Sequence, residues 1–335
     1  MTINIISESV FFPKRFGGIH TAFLNNIKMF QADKEIKVVV NSWQKTEITH
    51  VHSLWPFGVL MLITHKPSII SSHILPETFI GSYKGGSLLQ IFMKYYLRFA
   101  YNRASLVIAL TEKAKEQLRS LGVTSRIEIV PNPVNPEVFH KDNKLREAGR
   151  KEYNLDPEQF VVLGAGNIIP RKGIEDFIEV AKLFPNMIFI WVGGKPFLNA
   201  ISATINMQQV LKEIPSNIIF VEQVVYEKMP LIYNLADAFF FPSHQEVAPM
   251  SVIEAAACGL PLLLRDLPEY RSLYQTGYCS GSEIKEFAAN IEKLQKNKTF
   301  YAEKSKASYE LAQKFSYETI KNKLLNLYQS LLHHV

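Results

Sequence analysis

The sequence predicts an α/β protein built as two successive doubly wound domains, and three observations carry that prediction. Short apolar strands alternate with helical patterns from Asn4 to Val130, the signature of a parallel sheet wrapped by helices. A proline-rich break with a charged stretch behind it interrupts the alternation at Pro131. Beyond the break the same alternation starts again, from Val161 onward.

Taken in order, Asn4–Ser7 reads as the first strand, and Gly17-Gly18 opens a helix that reaches Phe30. Ile36–Val40 is a second strand, His50–His52 a short third, and Ile69–His73 and Leu106–Ala109 continue the series. A helix starts near Thr111, and Ile127–Val130 follows it as a strand. Pro131, Pro133 and Pro136 cannot sit inside a helix or a central strand. With the polar stretch Lys141–Lys151 they mark a domain boundary. The second series then reads strand Val161–Gly164, helix Ile174–Leu183, strand Met187–Val192 and strand Ile218–Val221. Helix Met229–Asn234, strand Ala236–Phe241, helix Ser251–Ala257 and strand Leu260–Leu264 complete it. Gly259 just past a helix, with Pro261 two residues on, is an ordinary stop signal. From Glu283 to Leu332 the pattern is mostly helical. In such domains ligands are expected at the carboxyl ends of the strands.

Composition agrees with two globular domains. The chain has 335 residues, 47% hydrophobic and 20% charged, which excludes disorder and allows each domain its own core. The longest apolar run, Leu54–Ile63, is shorter than the roughly 18–20 residues that span a bilayer, and it contains Pro56 and Gly58. The start carries Glu8 and lacks a basic-then-apolar leader, so a cytoplasmic protein is expected. Cys258 and Cys279 cannot form a disulfide framework or a metal site alone. The net charge of +6 is unevenly placed: residues 1–140 hold 15 Lys and Arg against 9 Asp and Glu, and the remainder balances. An anionic membrane surface or nucleic acid could each meet that basic half, and ordinary solvated charge is the plainer account.

The densest chemical signal is Glu246-Val-Ala-Pro-Met-Ser-Val-Ile-Glu254, followed by Ala-Ala-Ala-Cys-Gly259-Leu-Pro261. Glu246 falls in the loop after a strand, and Glu254 in the first turns of the next helix. Two carboxylates so placed can accept hydrogen bonds from separate hydroxyls of one polyhydroxylated ligand. Free backbone N–H groups near Met250 and Ser251 can meanwhile hold a phosphate. Read without context, the pair could equally be two surface glutamates.

The context resembles the family-4 retaining glycosyltransferases over nearly the whole chain. Gly17-Gly18 matches that family's N-terminal glycine pair, and Ile129-Val-Pro-Asn-Pro-Val134 with Phe139 its interdomain segment. Arg171-Lys172-Gly173, Ala236-Asp237 through Pro242-Ser243, the two glutamates and the closing Phe315-Ser316 match in order. The resemblance implies a GT-B fold, two Rossmann-like domains with the active site in the cleft between them. It implies an acceptor-binding domain over 1–140, with a C-terminal helix 316–335 packing back on it, and a nucleotide-sugar domain over 141–315. By the same resemblance Glu254 binds the donor ribose, Glu246 contacts the donor hexose, and Lys172 with Arg171 neutralises the leaving diphosphate. Gly17 and Gly18 let backbone approach the diphosphate, and His73 faces the donor sugar and acceptor. His20 and His52 read as structural.

Two departures stand out. Asn167 occupies the place of an arginine common in the family, and Val247, Ala248 and Pro249 replace the glycines usual after the first glutamate. There is no Asp-x-Asp pair, so the sequence requires no metal and no cofactor beyond a UDP-sugar as donor substrate. Gly164-Ala-Gly166 lacks the third glycine of a dinucleotide fingerprint, because Ile169 stands there.

For the acceptor, Ser87–Arg103 mixes Leu, Ile, Phe and Tyr with Lys94, Arg98 and Arg103, and Lys84 precedes it. That mixture describes an interfacial membrane helix or a core helix with solvated charges. Leu264-Arg265-Asp266-Leu-Pro268-Glu-Tyr270 is similar to a stretch of bacterial diacylglycerol and glycolipid glucosyltransferases. The resemblance therefore implies transfer of glucose or galactose to diacylglycerol or its monohexosyl derivative, by an enzyme peripheral on the inner face of the membrane, with no nucleic-acid partner. The competing readings are a glycosyltransferase of soluble or polyprenyl-linked acceptors and a basic nucleic-acid-binding protein.

Overall fold

The computed structural model describes residues 1–11, 17–75, 87–194, 214–222 and 224–333, and only the backbone of 87–90. Two units separate within it: Met1–Asn135 with Phe315–Val335, and Pro136–Lys314.

In the first unit, β1 (Thr2–Ile6), β2 (Lys37–Val40), β3 (Ile48–Val51), β4 (Ser68–Ser71), β5 (Leu106–Ala109) and β6 (Arg126–Ile129) form one parallel sheet. Its order is β2-β1-β3-β4-β5-β6. Ile3, Ile5, Ile48, Ile69 and Leu106 are wholly buried, as strands covered on both faces must be. The chain leaves β1 to one side for β2 and returns on the other for β3. The loops after β1 and β3 therefore part and leave a crevice at their carboxyl ends. Helix α1 (Gly18–Gln31) and the last helix (Tyr317–Leu332) cover the core through Phe23, Phe30, Ile320, Leu324 and Tyr328. The last helix is tied at its start, where the Val134 N–H donates to the Phe315 carbonyl at 2.8 Å.

Helices α2 (Pro56–Thr64) and α3 (Ser87–Tyr101) also belong to this unit. The apolar run Leu54–Ile63 is thus mostly a short helix, begun by Pro56 at its first position, where a missing N–H costs nothing. The Glu8 carboxylate receives the Gly58 N–H at 2.6 Å, satisfying one of the free donors of that helix start.

In the second unit the strands are β7 (Val161–Ala165), β8 (Ile188–Val192), β9 (Ile218–Val221), β10 (Ala238–Phe241), β11 (Leu262–Arg265) and β12 (Cys279–Gly281). All are parallel in the order β12-β11-β10-β7-β8-β9, so here the crevice opens between β7 and β10. Phe177 anchors the core, edge-on to Trp191 at 5.0 Å and stacked on Phe240 at 5.6 Å between ring centres. Gly164 admits Trp191: a Cβ there would lie 2.5 Å from the indole.

Most of the polar stretch Lys141–Lys151 is a helix, Asn143–Glu152. Arg146 and Arg150 reach Asp237 at 2.6 and 2.7 Å, and Asp237 also accepts the Val161 N–H at 2.7 Å. One carboxylate thus joins this helix to the starts of β7 and β10. The strand Cys279–Gly281 and the helix Pro268–Tyr274 have no counterpart in the sequence reading, since both are too short to show a period.

Candidate active site

In the second unit the loops after β7 and β10 meet at the switch point. After β7 the chain makes a single tight turn, Pro170–Lys172, closed by Gly173 at φ +72°. Only glycine suits that position: a Cβ would lie 2.2 Å from the Pro242 carbonyl oxygen at the end of β10. The close approach delivers Arg171 and Lys172 to the β10 loop. Lys172 lays its stem over Gly166, donates to Glu246 Oε1 at 2.5 Å, and sets its ammonium 5.0 Å from the Phe241 ring centre. Arg171 donates to the Gln245 carbonyl at 2.6 Å and stands 3.6 Å from the same Glu246 oxygen. The Ser243 hydroxyl lies 2.7 Å from Glu246 Oε1. Burial lowers the Lys172 pKa, and the neighbouring Glu246 opposes that fall. Two cations, a carboxylate and a hydroxyl thus share one site in the crevice.

Glu246 leads into the helix Met250–Ala257, whose first N–H groups, at Met250 and Ser251, lie ahead of the first helical acceptors. Glu254 follows one turn later and is buried. Its Oε2 accepts the Tyr233 hydroxyl at 2.8 Å, while Oε1 is buried and has no hydrogen-bond partner among the described residues. Burial raises this carboxyl to about 7, against the hydroxyls of Tyr233 and Tyr226, which favour the charged form. A half-ionised carboxylate with an unfilled acceptor oxygen suits a ligand that brings a hydroxyl donor.

In the first unit Gly17 precedes α1 at φ +39°, and a Cβ at Gly17 or Gly18 would meet nothing within 4 Å among the described residues. His73 lies past the end of β4, and β4 and β3 end at Ser71 and Val51, so His52 and His73 stand beyond the sheet. His52 Nδ1 and His73 Nε2 are 3.1 Å apart, and their rings stack at 5.4 Å between centres. Burial holds His73 down at about 4, so its ring is neutral at physiological pH. His20 meets the Ser9 hydroxyl at 3.1 Å. Lys84 lies outside the described residues.

The structure thus brings Arg171, Lys172 and Glu246 together, sets Met250, Ser251 and Glu254 on the adjoining helix, and gives Gly17, Gly18 and His73 to the other unit. Sequence reasoning missed Tyr233 as the partner of Glu254 and Ser243 as a neighbour of Glu246. Tyr233 carries no local signal, because β10 and a loop separate it from Glu254 along the chain. Ser243, in contrast, was already visible in the Pro242-Ser243 match, without a role. Among the described residues no cluster of side chains could hold a metal ion.

With this geometry in view, the likeness to known proteins can be stated. Residues 146–318 match the family model of glycosyl transferases group 1, and residues 9–138 that of glycosyltransferase family 4. The alpha-galactosylglucosyldiacylglycerol synthase of Streptococcus pneumoniae is 30% identical over 98% of this chain and 89% of its own length. The processive diacylglycerol alpha-glucosyltransferase of Acholeplasma laidlawii is 28% identical over 94% of each. Among solved structures, Anabaena HepE in complex with UDP-glucose superposes with a TM-score of 0.76 at 16% identity, covering 99% of this chain and 100% of the other.

Proposed function

Because the chain belongs to the group 1 glycosyl transferases and has their GT-B fold, we propose that it moves a hexose from a UDP-sugar to a membrane glycerolipid with retention of configuration. The observation that carries the reading is the crevice between β7 and β10, where Lys172, Arg171 and Glu246 converge beside the buried acceptor Glu254. Glu254 accepts a ribose hydroxyl. The helix start at Met250 and Ser251 and the two cations hold the diphosphate. Glu246 exchanges its bond to Lys172 for one to the donor hexose.

In the transfer, the bond from the anomeric carbon to the diphosphate oxygen breaks and the acceptor hydroxyl attacks from the same face. Its proton passes to the leaving phosphate oxygen, and UDP departs with the charge that Lys172 and Arg171 offset. Fixed cations at developing charge are commonly the largest catalytic contribution. No metal enters this reading.

The acceptor class rests on two supports. Relatives matched over almost the full chain are named for diacylglycerol and its glycosides. On α3, Ile91, Phe92, Tyr95 and Phe99 are exposed at helical spacing beside Lys94, Arg98 and Arg103. An exposed apolar face rimmed by basic groups is suited to an anionic bilayer surface. Among the described residues no helix is long and apolar enough to cross a membrane; the association we propose is peripheral, on the inner face.

The test is transfer of radiolabel from UDP-glucose or UDP-galactose, with EDTA present, into mixed micelles of diacylglycerol or monoglucosyl-diacylglycerol. Labelled lipid is expected in one of the four combinations. Donor hydrolysis with no labelled lipid overturns the lipid acceptor and points to soluble or polyprenyl-linked acceptors. Loss of transfer in EDTA overturns metal independence.

A further inference from the structure

The crevice of the first unit holds a group that the proposed reaction leaves unused. His50, His52 and His73 form one stack: ring centres are 4.5 Å apart between the first two and 5.4 Å between the last two. His50 and His52 are two apart on one strand direction and so share a face, and His73 comes from the neighbouring strand end. Both nitrogens of His50 are engaged, Nδ1 with the Tyr328 hydroxyl at 2.6 Å and Nε2 with the Ser71 hydroxyl at 2.8 Å. His50 is thereby fixed, and it supports His52 from one side, while Phe23 stands edge-on to His52 at 6.0 Å.

All three rings are neutral at physiological pH. Burial takes His50 down to about 3 and His73 to about 4, and burial with two neighbouring imidazoles takes His52 well below the usual value. Each ring then carries one N–H, and the 3.1 Å contact between His52 Nδ1 and His73 Nε2 needs one of the two as donor. Were His73 the donor, His52 would carry its proton on Nε2. That atom is buried and meets no partner among the described residues. A buried N–H without an acceptor is the rarer and more costly defect, on the order of 1–3 kcal/mol. With His52 as the donor, only a ring lone pair is left facing apolar surroundings.

From this geometry we propose that His52 is a positioning residue: it donates Nδ1–H to His73 Nε2 and so fixes His73 as the Nδ1–H tautomer. His73 Nδ1, which makes no hydrogen bond among the described residues, then presents a donor to an oxygen of the transferred sugar or of the acceptor. The same arrangement denies His73 the role of base, because its only lone pair already accepts from His52. This rests on the reading that His73 faces the reacting sugar, and the experiment separates the two.

Long-range nitrogen–proton NMR on histidine-labelled protein reports the tautomer directly, with His73→Gln to assign the signals. The wild-type protein is expected to show His73 protonated at Nδ1 and bare at Nε2; the reverse pattern overturns the proposal without any variant needed at position 52. His52→Phe should release His73 to the Nε2–H form that predominates for histidine in water. His52→Asn, whose amide nitrogen takes the place of Nδ1, should keep the native form. Loss of an orienting partner that sets a histidine tautomer is costly to turnover in other enzymes. A fall in kcat of roughly tenfold or more is therefore expected for His52→Phe, with donor KM within about twofold, and rescue by His52→Asn. An unchanged tautomer in His52→Phe overturns the positioning role. A changed tautomer with unchanged kcat upholds that role and refutes instead the placement of His73 at the reacting sugar.

Discussion

Donor affinity should follow the ionisation of Glu254. Burial raises this carboxyl from 4.5 to about 7 in the ligand-free protein, and only its ionised form accepts bonds from ribose hydroxyls through both oxygens. With a midpoint near 7, about one tenth of the molecules carry the carboxylate at pH 6 and about nine tenths at pH 8. The donor should therefore bind about tenfold more weakly at pH 6, a difference of about 1.4 kcal/mol. UDP-glucose is the ligand to titrate calorimetrically, because its diphosphate carries no proton in that window. Glu254→Gln should bind roughly ten- to a hundredfold more weakly at pH 8, the loss expected for charged hydrogen bonds, with a flat pH profile. The sign for stability runs the other way. A carboxyl raised on folding stabilises fully below 4.5, and that contribution is lost as pH rises through about 7, about 3 kcal/mol in all. Relative to the wild-type protein, ligand-free Glu254→Gln should thus gain thermal stability between pH 5 and pH 8. Equal donor affinity at pH 6 and pH 8, or a slope that survives in Glu254→Gln, would refute the reasoning.

Three further outcomes are expected. Lys172→Ala should lower turnover about 10²- to 10³-fold with a native circular dichroism spectrum, and melting should fall, since buried Glu246 loses its nearest cation. Gly173→Ala must hold φ +72° with a Cβ 2.2 Å from the Pro242 carbonyl, so a loss of about 2 kcal/mol or more is expected in denaturant titration, together with loss of transfer. Phe92→Glu, on the exposed face of α3, should weaken binding to anionic vesicles about tenfold or more without affecting donor binding in solution; unchanged vesicle binding would remove that helix from the membrane contact.

Much of the fold was legible because buried parallel strands write themselves as apolar runs. Leu106–Ala109 and Ile218–Val221 were read to the residue, and other strands differ by one to three residues at their ends. Two elements that the sequence does not show were lost for different reasons. Asn143–Glu152 shows in the sequence only as a polar stretch, because its buried Arg150 docks through an ion pair to Asp237 and a backbone carbonyl. Hydrophobic periodicity cannot register a helix that docks through guanidinium groups. Cys279–Gly281 fails for the opposite reason, being too short for any period.

The site was legible only as a set of residue types, and the reason lies in topology. Glu246 and Glu254 stand out because one loop and one helix turn hold both, so their spacing survives in the sequence. The contacts that decide their chemistry come from elsewhere along the chain. Lys172 reaches Glu246 because β7 and β10, distant in sequence, are neighbours in the sheet. Tyr233, on the helix before β10, donates to Glu254, on the helix after it. The histidine stack makes the same point more strongly. His52 read as structural and His73 as a site residue, yet one hydrogen bond joins them, and it exists only because β3 and β4 end side by side. Sorting histidines into structural and functional classes from the sequence therefore divides a pair that acts as one: the proton His73 can offer is decided by the ring behind it.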